Sequence, residues 1–136
     1  MSNFLIYGSY GYTGQLIVQH AVEMGFHPIL AGRNEKLLSA QAQQFDLPYR
    51  TFALNEAEKL DAALLEVDAV LHFSRRSAEN YVAGAKSAGV VEPALAVRHL
   101  CLSAQVAEPL TGARHIMIAA RPDEAALIEL LAAGPG

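Results

Sequence analysis

Tryptophan is absent from this 136-residue chain, and cysteine occurs once, at Cys101. A lone cysteine cannot close an internal disulfide. That excludes a disulfide-framed secreted scaffold and fits a reducing compartment. Cys101 sits in an apolar run, where a thiol behaves as a small buried side chain. Charge is also sparse: charged residues make up 18% of the chain and the net charge is −4. There is no basic run and no basic patch interleaved with aromatics, so nucleic acid is not expected as a partner. No apolar run approaches the ~18 residues that a membrane span needs, so no membrane partner is expected. The first apolar run starts almost at Met1, which leaves no room for a secretory leader; a cytoplasmic location is the expectation. No repeat, low-complexity tail or long linker interrupts the chain. With 52% hydrophobic residues, residues 1–136 are expected to form one domain with a sizeable core, as a monomer or weak dimer.

What is present is alternation. Short apolar runs predict strands over 3–8, 28–31, 49–54, 69–73, 98–103 and 114–119. Helical spacing predicts helices over 13–24, 35–44, 56–66, 78–88, 104–110 and 123–133. Leu37, Leu38 and Ala42 would face inward on the second helix, and Leu60, Ala63 and Leu64 on the third. Asn34 and Asn55 are placed to cap helices, and Ser77 to open the one that ends at Gly89. Residues 90–97 read either as a loop or as a short helical turn, because of Pro93. Arg50 and Thr51 put the third strand near an edge. Strands alternating with helices predict an α/β fold: a three-layer, doubly wound parallel sheet of six strands. The expected order is 3-2-1-4-5-6, with the flavodoxin-like order 2-1-3-4-5 as the alternative.

The stretch with the most chemistry is Gly8-Ser9-Tyr10-Gly11-Tyr12-Thr13-Gly14. It follows the apolar run Phe4-Leu5-Ile6-Tyr7 and precedes a helix. Strand, glycine-rich turn and helix start are the parts of a dinucleotide-binding corner. Gly8 would let the chain leave the strand in a tight turn. Gly11, without a Cβ, would let a pyrophosphate approach the backbone. Gly14 would let the helix pack closely. Free N–H groups of the first helical turn would hold the anion. The spacing is G-x-x-G-x-x-G rather than the commoner G-x-G-x-x-G.

Arg33 sharpens this reading. A site for NAD places Asp or Glu at the end of the second strand, to accept from the ribose hydroxyls. Here Gly32-Arg33 stands instead. A carboxylate would repel a 2′-phosphate, whereas a guanidinium binds it through charge-assisted bonds. The expected cofactor is therefore NADP, and the expected partner a dinucleotide or another phosphate-bearing small molecule.

The first part of the chain resembles the NADP-binding domain of the saccharopine dehydrogenase-like family. The matching text is Phe4 to Gly14, then Ile29 to Asn34, then Lys36-Leu37. That resemblance implies an oxidoreductase fragment. The family's Gly-Pro-Phe turn after the fourth strand is missing, and so are its later Thr/His-Tyr-x-Asp segment and its large catalytic domain. From about Val67 the chain resembles the C-terminal part of uroporphyrinogen-III synthase, in the segments VDAVLHFSRRSAENY, RHLCLSAQVAEPL and ARHIMIAARPDEAALIELL. The second resemblance implies tetrapyrrole chemistry in a cleft between two α/β domains. Together they imply a composite chain, joined near residues 55–72, engineered or recombined and without catalysis. An oxidoreductase fragment and a partial synthase are the other readings.

The candidate cofactor-binding residues are Gly8, Ser9, Tyr10, Gly11, Tyr12, Thr13, Gly14 and Arg33, with Ser74 and Arg75 after the fourth strand. Ser74 to Ser77 has two readings: anion contacts, or a helix cap by Ser77 beside two solvated arginines. No catalytic set and no metal set is expected. His72 is the histidine best placed for a general base, but a satisfied core histidine is the commoner outcome. No serine sits in a nucleophile elbow, and no Tyr-x-x-x-Lys pair occurs.

Overall fold

A computed structural model of the protein describes residues 4–53 and 56–132. Its strands are β1 (Phe4–Tyr7), β2 (Ile29–Gly32), β3 (Tyr49–Thr51), β4 (Ala69–His72), β5 (Arg98–Cys101) and β6 (Ile116–Ile118). Its helices are α1 (Tyr12–Glu23), α2 (Glu35–Phe45), α3 (Ala57–Glu66), α4 (Arg75–Ala88), α5 (Val91–Ala96), α6 (Ala104–Ala107) and α7 (Glu124–Ala132). The strands form one sheet in the order β3-β2-β1-β4-β5-β6. Every pairing is parallel, with Leu5 opposite Ile29 on one side and Val70 on the other. This is the expected Rossmann-like order; the alternative order 2-1-3-4-5 does not hold.

Side chains alternate across a strand, so one apolar strand serves two cores. Phe4 and Ile6 point to a core closed by Ile17 and Val18 of α1, Leu38 of α2 and Leu127 and Ile128 of α7. Leu5 points to the opposite core, with Leu60 of α3, Tyr81 of α4, Ala94 of α5 and Val106 of α6. The central strands β1, β2 and β4 are almost wholly buried. β3 and β6, at the two ends of the sheet, are half-open. β3 is an edge strand, as Arg50 and Thr51 imply, and Arg50 forks onto Glu66 of α3 at 2.6 and 2.9 Å.

Several boundaries differ from the expectations. Ser74, not Ser77, caps α4: its Oγ accepts from the Ser77 N–H at 3.0 Å, and the helix starts three residues early. Residues 90–97 resolve into α5, with Pro93 in its first turn, where a missing N–H costs nothing. Glu56 is the N-cap of α3, and Asn55 lies outside the described residues, as do Leu54 of the third predicted strand and Ala133 of the last helix. β5 and β6 are shorter than their apolar runs; β5 ends early because Ser103 already caps α6, accepting from the Val106 N–H at 3.3 Å. Asn34 caps α2 as expected, accepting from the Leu37 N–H at 3.0 Å. Leu37 itself is 49% exposed, and the inward face of α2 is Leu38, Gln41 and Ala42.

The second core holds two histidines. His72 on β4 and His99 on β5 are buried, with Nε2 of His72 3.0 Å from Nδ1 of His99. Tyr81 packs edge-on against both rings, and its hydroxyl donates to the Ala94 carbonyl at 2.6 Å. Burial drives His72 down to about 3, with His99 adding to the effect. Burial likewise takes His99 down to about 4; the Leu95 carbonyl acts in the opposite direction. Cys101 is fully buried beside them, its thiol pushed up to about 12 by burial. Both rings are therefore neutral, and His72 sits in the core.

Unfolding frees these rings to take protons near their ordinary value of 6.5. Their depressed values in the fold mean that stability is full above that pH and is lost as pH falls through it. The loss should reach about 1.4 kcal/mol per histidine per pH unit. Urea denaturation should give a flat profile from pH 8 to 6.5 and a steep decline from 6.5 to 4.5, above the range where most carboxylates titrate. A flat profile down to pH 4.5 would contradict a buried neutral pair.

Candidate functional site

The carboxyl ends of β1 and β2 carry the glycine turn and Arg33, and the start of α4 completes the edge. Gly8 has φ +76°, a conformation that side chains with a Cβ rarely adopt, and its N–H donates to the Ala31 carbonyl at 2.7 Å. The chain reverses there as the glycine implies. Gly11 is the N-cap of α1; its N–H donates to the Gly8 carbonyl at 3.1 Å. The Gln15 N–H closes the first helical bond, to the Gly11 carbonyl at 2.8 Å. That leaves the N–H groups of Tyr12, Thr13 and Gly14 without intrahelical partners, at the positive end of the helix dipole.

Gly14 is the tightest position in the turn. A Cβ there would lie 2.6 Å from the Gly8 carbonyl oxygen and 2.8 Å from that of Ser9. The close packing anticipated for this glycine is thus against the turn's own backbone. Gly11 is different. Its Cβ would meet only the Gly8 oxygen, at an ordinary 3.5 Å, so its bareness matters to whatever approaches from outside.

The remaining turn residues divide by direction. Ser9 is fully buried: its Oγ donates to Gln41 Oε1 at 2.7 Å, and Gln41 Nε2 donates back to the Ser9 carbonyl at 2.8 Å. Its hydroxyl fastens the turn to α2 and is not free for a ligand. Tyr10 lies over the end of β2, and its hydroxyl accepts from the Asn34 N–H at 3.2 Å. Tyr12 stands 83% exposed, and Thr13 is half-buried.

A cavity of about 520 Å³ opens between the ends of β1 and β4. Gly8, Arg33 and Ser74, all anticipated, line it. So do Tyr7, Ala53 and Phe73, and a stripe of α4 residues at four-residue spacing: Arg76, Asn80 and Gly84. The stripe was open to periodicity analysis only once α4 is known to begin at Arg75. Arg75 departs from its expected place. Its guanidinium is held by Glu79 at 3.0 Å and by Glu108, away from the cavity. Arg76 takes the lining position instead.

The cavity's charge is one-sided. Arg33 and Arg76 both line it, and no carboxylate does among the described residues. Neither arginine has an ion-pair partner among the described residues. The acid next to Arg33 in sequence, Glu35, is held by Thr51 Oγ and by the Tyr49 hydroxyl at 2.8 Å, which keeps its carboxyl below the usual range. Tyr7 donates to the Phe52 carbonyl at 2.8 Å; burial pushes its phenol up to about 12, and the Arg33 charge pulls the other way. Two guanidiniums on one concave wall, with no ion-pair partner among the described residues, suit an anionic ligand. Among the described residues there is no cluster of metal-ligating side chains. Nor is any described helix long and apolar enough to cross a membrane.

No protein-family model matches the sequence, and no curated protein matches it. Solved structures do share its fold. It is similar to apo saccharopine dehydrogenase (L-Glu forming) from Saccharomyces cerevisiae, with 19% identity and a TM-score of 0.58 over 87% of this chain and 26% of that one. It is similar to yeast methylglyoxal/isovaleraldehyde reductase Gre2 complexed with NADPH, at 16% identity and a TM-score of 0.55 over 74% of this chain and 36% of that one. It is also similar to dTDP-glucose 4,6-dehydratase from Bacillus anthracis in complex with NAD, at 16% identity and a TM-score of 0.56 over 76% and 37%. At these identities the likeness is one of fold. The chain spans well under half of each of these structures.

The two inner glycines should separate stability from binding. Gly14→Ala forces a Cβ against fixed backbone and should destabilise by about 2 kcal/mol. Gly11→Ala should stay within about 1 kcal/mol of the parent, the cost of alanine at an N-cap. Urea midpoints of the two variants check this; equal losses would mean that the turn is not packed as described.

Proposed function

We propose that this chain is the NADP(H)-binding, Rossmann-like part of an oxidoreductase of the saccharopine dehydrogenase-like kind. The observation that carries the reading is Arg33. It stands unpaired at the end of β2, beside the glycine turn and at the mouth of a cavity that no carboxylate lines among the described residues. The similar structures support it: among them are a reductase solved with NADPH and a dehydratase solved with NAD. The reading takes residues 1–136 as one domain.

In this reading the N–H groups of Tyr12, Thr13 and Gly14, beside bare Gly11, would hold the pyrophosphate. Arg33 would hold the 2′-phosphate, and the cavity lined by Ala53, Arg76, Asn80 and Gly84 would hold the adenosine. Ser74 contributes its place at the rim and Arg76 a second positive charge. Ser9 and Arg75 act at one remove, Ser9 by holding the turn and Arg75 by holding α4 to α6. The bound cofactor would supply hydride transfer, and a carbonyl or imine substrate would be met by parts of a larger protein. The composite-scaffold reading needs the second-half sequence resemblance as well as the first, and the similar structures support the oxidoreductase fragment over it.

Melting curves with NADPH and NADH test the proposal. NADPH at about 100 times its dissociation constant should stabilise by about 2.7 kcal/mol. Arg33→Ala should weaken NADPH tenfold or more, about 1.4 kcal/mol, and change NADH little. The absence of any shift with millimolar NADPH would end this reading.

A further inference from the structure

We propose that Tyr10 is a second specificity-determining residue, its hydroxyl donating to the same 2′-phosphate that Arg33 binds. The inference rests on the NADP(H) reading above and concerns what distinguishes the phosphorylated cofactor from the plain one.

Tyr10 is held in place from both ends. Its carbonyl accepts from Gln15 Nε2 at 2.8 Å, and the preceding Ser9 is tied to Gln41. Its ring lies across Gly32. A Cβ at that position would come within 2.5 Å of Tyr10 Cε2 and 3.0 Å of its hydroxyl oxygen. Gly32 is therefore the opening through which the ring reaches the end of β2.

The hydroxyl's hydrogen bonding then decides its chemistry. It accepts from the Asn34 N–H at 3.2 Å. A phenol that accepts from an amide still has its own proton to donate. Among the described residues, that proton has no acceptor. The hydroxyl faces an open groove of about 630 Å³, lined by Arg33, Asn34, Glu35 and Lys36. Glu35, the one acid there, is turned onto Tyr49 and Thr51. The groove thus offers two cations and one oriented neutral donor. A phosphate monoester uses all three, because it has three acceptor oxygens. A ribose hydroxyl, neutral and with a single oxygen, engages only part of such a set.

Tyr10→Phe keeps the ring on Gly32 and removes only the hydroxyl. Dissociation constants for NADPH and NADH should be measured for the parent, Tyr10→Phe and Gly32→Ala. The expected result is a five- to tenfold loss of NADPH affinity in Tyr10→Phe, NADH within twofold of the parent, and a melting temperature within a few degrees of the parent, since the exposed Asn34 N–H turns to water. Gly32→Ala, which displaces the ring, should lower the preference for NADPH in the same direction. If the parent prefers NADPH but Tyr10→Phe weakens both cofactors equally, or neither, Tyr10 is a packing residue and the inference is overturned. If the parent does not bind NADPH at all, the underlying cofactor reading falls, and this inference with it.

Discussion

The glycine-turn edge of the sheet depends on one close contact: Gly14, at the start of α1, against the backbone of Gly8 and Ser9. Because no side chain intervenes, α1 begins directly on top of the turn it leaves. That nearness places the Tyr12, Thr13 and Gly14 amides, the first of α1, directly after the turn. It also fixes where Ser9 can point, and hence its paired bonds to Gln41. Through Gln41 the turn is registered on α2, and through Tyr10 on Gly32 and Asn34. Arg33 lies between these attachments, so the backbone that carries it is held on both sides.

Much of the fold was legible because each strand announces itself twice, through its apolar run and through its contribution to two cores. Phe4, Leu5 and Ile6 can all be buried only where both faces of a sheet are covered. The glycine turn was legible for a similar reason: Gly8 and Gly14 are demanded by backbone geometry, independent of any ligand. The buried state of Cys101 followed from its apolar neighbours.

What stayed hidden were choices between near-equal local options. Ser74 and Ser77 are both competent caps three residues apart. The earlier one wins, and that shift exchanges the roles of Arg75 and Arg76 around the helix. Gln41 occupies an inward position where hydrophobic periodicity favours a carbon side chain; it is there because Ser9 must be satisfied. Leu37 is exposed for the complementary reason. The meeting of Tyr10 with Gly32 joins residues far apart in the chain, and only the folded sheet brings them together. The second-half sequence resemblance drew on ordinary strand and helix text.

The two ends of the sheet are unlike. At β3, Arg50 is locked to Glu66, and Tyr49 and Thr51 are locked to Glu35, so polar and charged groups guard the outer backbone. At β6 the strand is Ile116-Met117-Ile118, short and wholly apolar, with Ile118 45% exposed. Unpaired backbone flanked by charge resists a new strand, whereas unpaired backbone flanked by isoleucine accepts one. The sheet consequently has a direction of growth. Of the two ends, the side chains of β3 oppose a further strand and those of β6 do not.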